Sequence, residues 1–407
     1  MRESRPLAMT IRVLALLALG VSLAGCSTLT RNPVPAELAA DASVPGMPDV
    51  RAWAGRVSPA MERDLAQSFE QESPGDFPRG ADGVVRYPHL ALSGGGAYGA
   101  FGAGFLYGWS ETGRRPVFKM VTGVSTGALM APFAFLGPSH DGALREFYTT
   151  TASSDVFRLG SILGALLGGE ALADTGPLAA LIARHVDGAF LRDIAGAHGR
   201  GRRLYIGTVD LDSQQFVVWN MGLIASSGHP QALDLFRKVM LASASIPIAF
   251  PPVFFEVEAG GRRYDEMHVD GGVGARVFVH AGVFRPSLIL ERAGRGAGRE
   301  DIFVIHNGQF RNQASPTPRT LGGIARRVIE ASGRAGLAGD LHRIHAFAQR
   351  GQASFHWVTI ADSVELAGSE IFDPVRMAEL YEIGHNTARA GPVWSVEPPG
   401  LVDERSP

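Results

Sequence analysis

Residues Arg86–Trp109 read RYPHLALSGGGAYGAFGAGFLYGW. A short apolar, strand-like run ends at Ser93. Gly94, Gly95 and Gly96 follow, and then a helical pattern of small and aromatic residues. Glycine loses more conformational freedom on folding than any other residue. Three in a row between a strand and a helix mark a place where bare backbone must come close to something.

The flanking sequence gives the glycines their setting. HLALS reads as a buried strand and GAFGAGFLYGWSE as a helix. VFKMVTGVS then reads as a strand and TGALMAPFAFLG as a helix. RRLYIGTVDLDSQQFVVWN predicts two strands with a polar turn near Asp212 and Ser213, and PQALDLFRKVMLASA predicts a helix. VFFEVEAGGRRYDEMHVDGG predicts a hairpin turning at Gly260 and Gly261. DIFVIHNG and SFHWVTIA are later strands, and a helical run extends from Ile324 to Ala348. Alternating strands and helices predict an α/β fold, a mainly parallel sheet covered on both faces.

Two chemistries use a glycine loop between a strand and a helix. Gly94, Gly96 and Gly99 fit a dinucleotide fingerprint, but that motif needs an acidic residue at the end of the next strand. The next strand ends instead in Gly123-Val124-Ser125-Thr126-Gly127. G-x-S-x-G between a strand and a helix is a nucleophile elbow: small neighbours permit a tight turn that lifts the serine hydroxyl out of the backbone. A serine attacking an acyl carbonyl also needs N–H donors for the oxyanion. Gly94-Gly95-Gly96 at a helix start offers them.

The serine needs a base. Candidate histidines are His280, His306, His342, His345, His356 and His385, none in a distinctive motif. In HVDGGV, Asp270 ends a hairpin strand, and Gly271 and Gly272 clear space around its carboxylate. With 51 glycines in 407 residues, each motif arises by chance fairly easily. All three together do so only at about the one-in-a-hundred level.

G-G-G-x-x-G, G-x-S-x-G and D-G-G in that order resemble the patatin-like phospholipases. GGEALADTGPLAALIARHV and ASASIPIAFPPV resemble further stretches of that family, and the likeness covers about residues 88–310. The resemblance implies a three-layer α/β fold and hydrolysis of lipid acyl esters without a cofactor or metal. It makes Ser125 the nucleophile, Asp270 its dyad partner and Gly94, Gly95 and Gly96 the oxyanion hole. The family usually carries Arg or Lys where this chain has Tyr98, so a positive charge beside the loop is missing. An ordinary carboxylate is a weak base at neutral pH, so Asp270 is expected to be partly buried, with a raised pKa, and within hydrogen-bond reach of Ser125.

The ends of the chain carry other signals. Arg2, Arg5 and Arg12 precede the apolar run VLALLALGVSLAG, and Cys26, the only cysteine, follows. Whether the start is Met1 or Met9, this pattern is that of a secretory signal. LAGC resembles a bacterial lipobox, which implies a lipidated Cys26 and membrane anchoring. Ser27, where enterobacterial lipoproteins held at the inner membrane carry Asp, points to the outer membrane. The expected organisation is a signal at 1–25, a tether with some helix at 26–86, the hydrolase domain at 87–395 and a flexible tail at 396–407. A net charge of −2 shows no basic excess for nucleic acid. Arg200, Arg202 and Arg203 read as a solvated loop, His268 as a neighbour of Asp270 or a plain surface residue, and FRLGSILGALLGG as a core helix or a lid. Two other functions fit the same residues: a serine esterase with a histidine-containing triad, and a non-catalytic lipid-binding envelope protein.

Overall fold

The computed structural model describes residues 31–73, 75–159, 171–294, 298–310, 314–365, 372–391 and 394–400. The signal, Cys26 and most of FRLGSILGALLGG lie outside the described residues. Eleven strands are described: β1 (Arg51–Trp53), β2 (Arg86–Leu92), β3 (Met120–Gly123), β4 (Arg158–Leu159), β5 (Ala173–Asp174), β6 (Arg203–Asp210), β7 (Gln215–Asn220), β8 (Val253–Ala259), β9 (Arg262–Asp270), β10 (Arg299–His306) and β11 (Ser354–Thr359). β4 and β5 form a separate ribbon; the other nine make one sheet in the order β1-β7-β6-β3-β2-β10-β11, with the β8–β9 hairpin attached through β9 to β6.

The neighbouring strands β6, β3, β2, β10 and β11 all run parallel. β7, β1 and the hairpin are antiparallel additions. The strands alternate between two buried faces, as a covered parallel sheet requires. Leu90 and Leu92 join Val121, Leu204 and Ile206 against helices that include Gly99–Glu111, Thr126–Leu136 and Pro374–Arg389. Tyr87 and Ala91 face the other way, toward the helices Pro59–Gln71 and Leu321–Gly351. The expected three-layer α/β arrangement is what the chain adopts.

The expected tether is a correction. From Arg31 onward this segment is built into the fold. Arg51, Ala52 and Trp53 pair with Trp219, Val218 and Val217 as an edge strand. The helix Pro59–Gln71, capped by Ser58, buries Met61, Leu65 and Phe69. Pro45 and Pro48 are turn residues and Pro59 starts the helix, rather than marking an extended linker. The expected tail also differs as far as residue 400: Trp357 and Ser395 exchange backbone hydrogen bonds, and Trp357 Nε1 donates to Glu397 O at 2.7 Å.

Arg202 and Arg203 are not solvated. Arg203 is fully buried, with Nε 2.6 Å from Asp64 Oδ2. Arg202 donates through Nε to Phe118 O at 2.7 Å and lies over the Phe135 ring. Both arginines tie the helix and loop layers to the sheet. No helix among the described residues is long and apolar enough to cross a membrane.

Candidate active site

Ser125 stands between the end of β3 and the helix Thr126–Leu136, with its backbone at φ 55° and ψ −125°. That region costs a non-glycine residue of order 1–3 kcal/mol. The turn is crowded as well as strained. A Cβ on Gly123 would lie 2.3 Å from the Gly127 carbonyl oxygen, and one on Gly127 would lie 2.3 Å from that of Leu92. The elbow therefore depends on both glycines.

Asp270 reaches Ser125 because β3 is short. β3 leaves β6 at the pairing of Gly123 with Ile206. Beyond that point the same edge of β6 is taken by β9, pairing Thr208 with Asp270. The last residue of β9 thus sits just past the last residue of β3. Ser125 Oγ donates to Asp270 Oδ2 at 2.6 Å. The other carboxylate oxygen accepts from Gly272 N–H at 2.7 Å. Asp270 is 5% exposed. Burial pushes its carboxyl up to about 6, against the downward pull of Ser125, Gly272 and the Arg276 charge.

The glycine run answers the question its sequence raises. A Cβ on Gly95 would lie 1.9 Å from the Asn307 carbonyl oxygen, so only a bare backbone fits. Gly96 has φ +57° with open space beside it. Among the described residues no acceptor meets the N–H of Gly95 or of Gly96. Gly94 departs from expectation: its N–H donates to Arg276 O at 3.2 Å. It contributes proximity instead, since its missing Cβ would lie 3.1 Å from Ser125 Cβ. Two donors, rather than three, are available.

Several residues that hold this geometry carried no motif. Ser243 Oγ accepts the Ser125 N–H at 3.0 Å and donates to Gly207 O at 2.6 Å. Ser245 O accepts the Asp270 N–H at 2.8 Å. The Ala-Ser-Ala-Ser segment therefore fixes both members of the pair. Asn307 secures the glycine loop, its Nδ2 donating to Ser93 O and its N–H to Ser93 Oγ, both at 2.9 Å. Arg276 lies near enough to Asp270 to lower its pKa. It brings positive charge to the site from a different element than Tyr98. An apolar cavity opens beside Ser125, lined by Leu129, Phe147, Val156, Leu178, Phe250 and Met377.

None of the candidate histidines bonds to Ser125 or Asp270. His306 Nδ1 is 2.9 Å from Ser93 Oγ, and burial pushes its ring down to about 4. His342 meets Pro399 O, His345 meets Gln349, His356 meets Ser354 and His385 meets Glu111. His280 lies near Glu300. His268 is fully buried, between Thr208 Oγ1 at 2.9 Å and Glu266 Oε2 at 3.1 Å. A buried carboxylate accepting a serine hydroxyl, beside free backbone N–H groups and an apolar cavity, is an arrangement suited to acyl transfer.

The family model for the patatin-like phospholipases matches residues 90–283. Residues 90–283 are thus similar to a patatin-like phospholipase domain. The matched span includes the glycine run, the elbow and the D-G-G turn. Two solved structures are similar to the chain. One is VipD from Legionella pneumophila, at 10% identity over 77% of this chain and 69% of that one, with a TM-score of 0.38. The other is human GIVD cytosolic phospholipase A2, at 10% identity over 70% of this chain and 51% of that one, with a TM-score of 0.28. No curated protein matches the sequence.

Proposed function

We propose that this patatin-like domain cleaves acyl esters of membrane lipids through a covalent acyl-enzyme on Ser125. Asp270 takes the hydroxyl proton as Oγ attacks the ester carbonyl, and returns it to the leaving alcohol. Water then attacks the acyl-enzyme with Asp270 again as base. Gly95 and Gly96 N–H groups receive the oxyanion, and the apolar cavity receives the acyl chain. Cys26 carries the lipid anchor that keeps the domain at the envelope membrane, on the outer membrane. The observation that carries the reading is the 2.6 Å hydrogen bond from Ser125 Oγ to buried Asp270. No histidine shares it.

A fluorescent fluorophosphonate tests the nucleophile, and release of fatty acid from phospholipid vesicles tests the substrate. Wild type is expected to label and to release fatty acid, and Ser125→Ala to do neither. Equal labelling of the two proteins refutes the assignment. Labelling without turnover of any lipid points to a small-ester hydrolase. Palmitate incorporation that is lost in Cys26→Ala tests the anchor.

Ser243→Ala is expected to lower kcat about fivefold with KM little changed. One hydrogen bond on the elbow N–H is lost, worth about 1 kcal/mol. Steady-state kinetics on a soluble ester read that split.

A further inference from the structure

Outside the catalytic region, three side chains converge on the opposite end of the sheet. His89 on β2 and Glu300 on β10 share a sheet face: His89 is in register with Ile302, two residues beyond Glu300. His280 comes from the segment after the D-G-G turn. His89 Nδ1 is 3.5 Å from Glu300 Oε1, and His280 Nε2 is 3.4 Å from the same oxygen. One donor atom from each of the three residues lies within 4.8 Å of the others. The two histidines are each 4% exposed.

The distances are wrong for hydrogen bonds and right for a metal. A good N–H···O bond spans about 2.7–3.2 Å. Both facing nitrogens, His89 Nδ1 and His280 Nε2, are buried without a hydrogen-bond partner. Leaving such groups buried and unmet is destabilising. Ligands held about 2.0–2.2 Å from a tetrahedral zinc ion stand about 3.3–3.6 Å apart. Both separations from Glu300 fall in that range. A cation at the centre would satisfy three groups that cannot satisfy one another.

We propose that His89, His280 and Glu300 bind a zinc ion, with water as the fourth ligand. The site clamps β2 and β10 to the segment that leads out of the D-G-G turn. His89 precedes Gly94 by five residues along β2, roughly 16 Å, so the metal stands apart from the ester chemistry. His280 also lines a cavity of about 370 Å³ bounded by Phe347 and Arg343, which offers a route in. The three residues lie far apart in sequence, so no ligand spacing reveals them.

The test uses the whole chain, stripped with EDTA and titrated with zinc or cobalt(II) while melting temperature and visible spectrum are followed. One equivalent of zinc is expected to raise Tm by several degrees. One equivalent of cobalt is expected to give the intense visible bands of a tetrahedral site. His280→Gln and Glu300→Gln are each expected to weaken cobalt binding at least about 100-fold, with near-UV circular dichroism reporting that each variant is folded. The proposal is overturned if wild type shows neither a Tm shift nor a tetrahedral spectrum. It is equally overturned if folded His280→Gln binds as wild type does. Should a variant not fold, the wild-type titration alone decides.

Discussion

Ser125→Ala is expected to lower kcat/KM for a short acyl ester by at least about 10⁴-fold, and Asp270→Asn by about 10²–10⁴-fold. Both variants are expected to keep the fold, because each replacement is no larger than the native side chain in its buried place. The pH profile carries the stronger information. Asp270 serves as base only when ionised, and burial holds its carboxyl up at about 6. kcat/KM is therefore expected to rise about tenfold per unit below pH 6 and to level off above it. An esterase that relied on a histidine such as His306, pushed down to about 4, would show its limb two units lower.

The same raised carboxyl has a cost in stability, with a definite sign. The folded state holds the Asp270 proton between the ordinary value of 3.8 and about 6. Its contribution is complete below pH 3.8 and is lost as pH rises through 6. At one unit per 1.36 kcal/mol this is up to about 3 kcal/mol of stability forgone at neutral pH. Asp270→Asn removes the ionisable group and is expected to be more stable than wild type at pH 7, with the advantage vanishing near pH 4. Denaturant unfolding at both pH values checks this. Lower activity joined to higher stability would mark a residue kept for chemistry.

The parts of the site legible in the sequence were those set by local backbone demands. A tight elbow needs Gly123 and Gly127 whatever surrounds it, and the close approach to Asn307 needs Gly95. These demands leave motifs. The strands were legible for a similar reason, because their apolar runs and turns report burial residue by residue. What stayed hidden depends on distant partners. Ser243 becomes meaningful only when its hydroxyl meets the Ser125 N–H, and Arg276 only when its carbonyl occupies the Gly94 N–H. The assignment of Gly94 as a donor failed on that long-range bond. β1 was hidden because three residues among prolines are too few to show alternation. Its role comes from docking on β7, and Arg51 gains its role only opposite Glu266, 215 residues away.

Arg51→Met is expected to destabilise the chain by about 3–5 kcal/mol, the usual cost of leaving one charge of a buried pair unmatched. Arg51 and Glu266 side chains are 4% and 3% exposed and bonded through both guanidinium Nη atoms. Arg51 also donates to Ala42 O at 2.9 Å and lies 5.3 and 5.4 Å from the centroids of Trp53 and Trp219. Burial alone would raise the Glu266 carboxyl, but Arg51 and His268 together bring it down to about 2 from 4.5. A lowered carboxyl stabilises the fold above pH 4.5 and loses that contribution as pH falls toward 2. Wild type should therefore show a steep acid limb over that window, and Arg51→Met a flatter one. Arg51→Met/Glu266→Met should cost less than the two single changes added together, because neither charge is then stranded. Denaturant melts of the four proteins at pH 7 and near pH 2.5 read all three expectations. Additive losses, with the acid limb unchanged, would mean that the segment before β2 is held by apolar packing alone. Coupled losses would show that Arg51 is the electrostatic bolt joining that segment to the strand that ends in Asp270.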